Sequence, residues 1–75
     1  MKGGVEMTIN NAEFLINQIN PILKRARMIY HHLQLDRENE DIEVCNMFGS
    51  VFARIHYPDH TILDTLDRIM EEVYG

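Results

Sequence analysis

The chain has 75 residues, with 12 acidic side chains against 7 basic ones and a net charge of −5. That length suits one domain, and a domain this short buries only about 60% of its unfolded surface, so it is marginal alone. One cysteine, Cys45, excludes an internal disulfide, no apolar run approaches the roughly 20 residues of a membrane span, and an acidic chain is poorly suited to non-specific nucleic-acid binding. The first ten residues hold no apolar export segment. These features predict a cytoplasmic protein stabilised by self-association or by a partner.

Residues 1–7 read as a flexible leader and residues 8–75 as a single domain. Lys2-Gly3-Gly4-Val5 has a codon set, AAA GGA GGT GTN, that contains a purine-rich bacterial ribosome-binding sequence. Met7 then becomes the expected natural start of a bacterial, phage or plasmid gene, which intact-mass measurement of the native protein tests. Thr8 or Asn10 can cap a following helix. Ala12, Leu15, Ile19, Ile22, Ala26, Ile29 and Leu33 recur at steps of three and four, the spacing of one helix face. Pro21 removes one helical hydrogen bond, but the apolar stripe keeps its phase across it. Either Asn20 caps a new helix with Pro21 at its first position or one helix continues with a kink; the preserved phase favours one long kinked helix fraying near Leu35, followed by a solvated loop from Asp36 to Asp41.

Residues 42–57 read as a β-hairpin with a two-residue turn at Gly49-Ser50. That turn sets Val44 against Ile55, Met47 against Phe52, Cys45 against Arg54 and Glu43 against His56. Facing residues share a side of the sheet, which gathers Ile42, Val44, Phe48, Val51, Ala53, Ile55 and Tyr57 on a core side, with Asn46 their one polar member. Pro58 ends the second strand. Asp59 or Thr61 caps a last helix, on which Ile62, Leu63, Leu66, Ile69, Met70 and Val73 form a second stripe. The predicted fold is α+β, in the order α-β-β-α, with both helices on one face of a two-stranded sheet. A sheet that small has two open edges, so a homodimer joining hairpins edge to edge, or pairing the long helices, is expected.

Four groups of residues are candidates for function. Phe14, Pro21, Met28 and Leu35 are seven apart, away from the main stripe, with Lys24, Arg25, Arg27, His31 and His32 beside the last two. An apolar row edged by arginine has the composition of a protein-recognition surface, so Phe14, Lys24, Arg25, Arg27, Met28, His32 and Leu35 are the expected partner-binding residues. The bland alternative is a solvated helix face with scattered apolar residues. Cys45, Met47 and Phe52, on the mixed side of the hairpin, are the expected dimer interface. Cys45, His56 and Glu43 are metal-ligand types, but their spacing matches no zinc signature and no group completes a nucleophilic site. His31, His32 and His60 are pH-sensor candidates, read more simply as exposed histidines.

The function expected is a non-enzymatic protein-interaction module: a regulator, adaptor or inhibitor binding a protein partner stoichiometrically, without cofactor or metal. Its acidic stretch from Asp59 to Glu72 could meet a basic partner by charge mimicry. The alternative is a small-molecule- or metal-binding module with its site between helix and hairpin or at a dimer seam.

Overall fold

The computed structural model describes residues 7–26 and 31–74. The order is α1 (Ile9–Arg25), β1 (His31–Asp36), β2 (Asp41–Asn46), β3 (Val51–His56), a short 3-10 turn over Tyr57–Asp59, and α2 (Ile62–Tyr74). The strands form one antiparallel sheet in the order β1-β2-β3. The architecture is therefore α+β, with two helices and three strands.

Helix α1 begins at Thr8, whose hydroxyl accepts from the Asn11 amide at 3.3 Å. The Asn11 side chain in turn accepts from the Thr8 amide at 3.2 Å, closing a reciprocal cap. Pro21 lies inside the helix, which continues past it to Arg25. Ala12, Ile16, Ile19 and Leu23, spaced four, three and four, are its buried residues. Met7, 5% exposed, joins the same core.

The long helix expected to reach Leu35 stops ten residues short of it. The helical phase of Leu33 misled because two residues, Leu33 and Leu35, fit a period of two as well as they fit 3.6. In the fold they alternate with Gln34 and Asp36 along β1, with Leu33 2% exposed in the core. A third strand satisfies both edges of β2, four of whose six residues are buried. The loop after β1 is a tight reversal. The Asp36 carboxylate accepts from the Glu38 and Asn39 amides, and Glu40 takes the left-handed conformation at φ 57°.

The second hairpin also corrects its expected turn. Its loop is Met47-Phe48-Gly49, with Gly49 at φ 82°. The Gly49 amide bonds the Asn46 carbonyl at 3.0 Å, and the Asn46 amide bonds the Ser50 carbonyl at 3.0 Å. This is a three-residue loop ending in a left-handed glycine. The register consequently differs from expectation by two residues: Val44 faces Ala53 and Ile42 faces Ile55. A two-residue slip preserves sidedness, so Ile42, Val44 and Ile55 still point into the core. Phe48, expected on the core side, stands in the loop at 82% exposure. Beside the loop the slip is three, with Cys45 against Val51 rather than Arg54, and a bulge between Val44 and Cys45 takes up one residue.

Helix α2 is capped by Thr61, whose hydroxyl accepts from the Asp64 amide at 3.1 Å. Its Ile69 and Val73 join the residues of α1 and the inner sheet face in one cluster. Both helices thus cover the same side of the sheet.

Candidate functional site

The end of the sheet at the β2–β3 loop gathers the most exposed apolar side chains of the strands. Asn46 builds the loop: its side-chain oxygen accepts from the Phe48 amide at 2.9 Å and from the Ser50 amide at 3.0 Å. With four hydrogen bonds inside five residues, the loop holds Met47 and Phe48 outward at 56% and 82% exposure. Phe52, 46% exposed, follows at the bulge. The His31 ring meets it edge-on, 5.5 Å between centroids. Beside His31, a groove of about 310 Å³ runs between the end of α1 and the start of β1, lined by Asn20, Lys24, His31 and His32.

The expected partner-binding residues divide. Lys24 and His32 meet in that groove, and Arg25 is exposed next to Lys24 on the last turn of α1. Phe14 is 63% exposed on α1. Leu35 is not on a helix face; it is half-buried on β1 and lines a separate groove of about 300 Å³ with Glu13, Ile16, Asn17 and Arg37. Arg27 and Met28 lie outside the described residues. Of the expected dimer residues, Met47 and Phe52 are exposed, one in the loop and one at the bulge, and no longer face each other, whereas Cys45 is fully buried.

The sheet's outer side, which neither described helix covers, is polar. Glu43, 8% exposed, is held from both flanks: Gln34 donates to it at 2.7 Å and Arg54 at 3.3 Å. In the next row His56 pairs with Asp41 at 3.0 Å. The bond to Asp41, with further help from the charge of Asp59, holds the His56 imidazole above its ordinary pKa. The register slip separates Cys45 from His56 and puts His32 and Val51 to either side of it. Burial pushes the Cys45 thiol up, with the Glu43 charge adding to the effect, which disfavours a thiolate ligand or nucleophile. Among the described residues no three His, Cys, Asp or Glu side chains are grouped so as to hold a metal ion. His31 and His32, adjacent on a strand, point to opposite sides.

Two residues that position this end escaped the sequence reading. Asn46 was the one polar misfit of the core side. An Asn three residues before a Gly is the signature of a type I turn closed by a left-handed residue, and that signal was present. Asn20 had no sequence signal for its role here beyond a possible helix cap. Its carboxamide reaches across to β1, donating to the Leu33 carbonyl at 3.0 Å and accepting from the Leu33 amide at 2.8 Å. No protein-family model, curated protein or solved structure matches this chain.

Proposed function

We propose that this chain is a non-enzymatic module that binds a protein partner through the end of its sheet. The observation that carries the reading is Phe48, held outward on a loop that Asn46 rigidifies. An aromatic side chain with few rotamers, on a backbone already fixed, loses little freedom on entering a pocket. Such residues anchor interfaces, and Met47 and Phe52 supply the apolar surround. The Lys24–His32 groove beside them adds polar contacts at the rim. A protein pocket suits this end better than a lipid surface, because residues 46–53 contain no lysine or arginine to meet anionic headgroups. Asp64, Asp67, Glu71 and Glu72 on α2 offer a second contact for a basic partner, as an inhibitor acting by charge mimicry requires.

The test is affinity capture from a bacterial lysate with three forms of the protein. Phe48→Ser should lose the specifically retained protein. Leu63→Ser, which removes an equally exposed apolar residue from α2 at 74% exposure, should keep it. Identical capture by the wild type and Phe48→Ser overturns the reading. The groove favours a second one, a small anionic ligand held by Lys24. A thermal shift with nucleotides or small carboxylates that vanishes in Lys24→Met supports it.

A further inference from the structure

The two edges of the sheet are treated differently, and the hydrogen-bond parity shows how. In an antiparallel ladder, facing residues alternately exchange hydrogen bonds and turn their backbone groups away from one another. The Tyr57 amide bonds the Glu40 carbonyl at 3.2 Å, which makes that pair a bonded one. Ile55–Ile42 and Ala53–Val44 follow two and four residues on, so Arg54 and His56 direct their amides and carbonyls away from β2. Val44, turned toward β3, leaves Leu33 free on the other side, and Leu33 is the residue whose outward amide and carbonyl are both taken by Asn20. The edge of β1 is thus blocked at Leu33, its central core residue, by a side chain from α1. Nothing among the described residues pairs with the outward groups of Arg54 and His56, and both side chains are exposed.

We infer that β3 pairs antiparallel with β3 of a second copy, about a two-fold axis at Ile55, to make a continuous six-stranded sheet. Two features favour a second copy over a foreign strand. First, inner and outer faces must match across the new pair, which requires a strand with this alternation: Ala53, Ile55 and Tyr57 inward, Arg54 and His56 outward. Second, the regular outward backbone groups are those of Arg54 and His56, because the bulge interrupts the ladder toward Val51. An axis at Ile55 pairs Arg54 of each copy with His56 of the other, so every one of these groups finds a partner. Closing the edge this way removes the exposed ladder without any change in either hairpin.

The experiment is sedimentation equilibrium of the wild type, His56→Pro and His56→Ala over micromolar to millimolar concentration. His56 has φ −76°, which proline adopts, and its amide faces away from β2, so proline removes the seam's donor while sparing the internal ladder. The wild type and His56→Ala should dimerise alike, and His56→Pro should associate roughly tenfold more weakly or worse, as expected for losing backbone hydrogen bonds. A wild type that stays monomeric, a His56→Pro dimer of unchanged affinity, or a His56→Ala loss equal to that of proline overturns the inference. Amide exchange on the wild type serves if the proline variant does not fold. The Arg54 and His56 amides should slow as the dimer forms, and fast exchange in a solution that is dimeric by mass overturns the proposal equally.

Discussion

Thr65 sits in the middle of α2 at 0% exposure, and its hydroxyl meets no hydrogen-bond partner among the described residues. A buried hydroxyl without a partner costs about 1–3 kcal/mol. Thr65→Val keeps the branched shape and deletes that loss, so the variant should be more stable by about 1 kcal/mol in urea denaturation. Gly49 behaves in the opposite sense. Nothing lies within 4 Å of where a Cβ would stand, so its φ of 82° alone decides the outcome. Gly49→Ala should destabilise by about 1 kcal/mol. A thermal melt will show that loss, and the turn should survive because the bonds to Asn46 do not depend on the glycine. Single residues of this kind were partly legible in the sequence. The demand for a positive φ at Gly49 follows from the residue itself, whereas the unsatisfied state of Thr65 depends on which groups the fold brings near.

At the scale of elements, the join between α1 and β1 is the feature the sequence concealed most completely. Asn20 was read only as a possible helix cap, because a carboxamide that mimics a neighbouring strand leaves no periodic trace. Replacing it by alanine strands the amide and carbonyl of Leu33 in a residue that is 2% exposed. The expected cost of Asn20→Ala is about 1–3 kcal/mol, and the Leu33 amide should lose protection in hydrogen exchange. The periods of 3.6 and 2, local properties of the chain, made the helical spacing and the inward turn of Ile42, Val44, Ala53 and Ile55 legible. But Ile22 and Leu63, expected in the inward stripes, stand 52% and 74% exposed, and Val51, expected inward, faces Cys45. The third strand was not legible. Residues 31–36 contain two apolar positions, too few to separate the periods, and what decides between them is the open edge of β2, a property of the folded sheet.

At the scale of the whole molecule, charge sets how stability varies with pH. His56 is more readily protonated in the fold than its ordinary value of 6.5 allows, chiefly through its bond to Asp41. A folded pKa above the unfolded one means that the protonated form is favoured by folding. The stabilisation is therefore complete below about pH 6.5 and is lost as pH rises through the higher folded value. The carboxyl of Asp36 runs the other way. The Asn39 side chain, then the Asn39 backbone, hold it below its ordinary 3.8, so its contribution is present above that value and fades as pH falls through the lower folded one. A urea midpoint followed from pH 3 to 9 should show both limbs. His56→Ala should flatten the alkaline one, and a limb that survives the substitution would have another origin. Among the described residues no helix is long and apolar enough to cross a membrane.

The burial of Cys45 has a use of its own. Its sulfur is fully buried, on a face of the sheet that neither described helix backs. An alkylating reagent can reach it only when that burial is lost, so the labelling rate in native buffer measures how often this part of the sheet opens. Each molecule carries one such thiol, which makes the rate a clock with no competing signal. If chains associate along β3, that clock should slow as concentration rises, with no probe introduced at the seam itself.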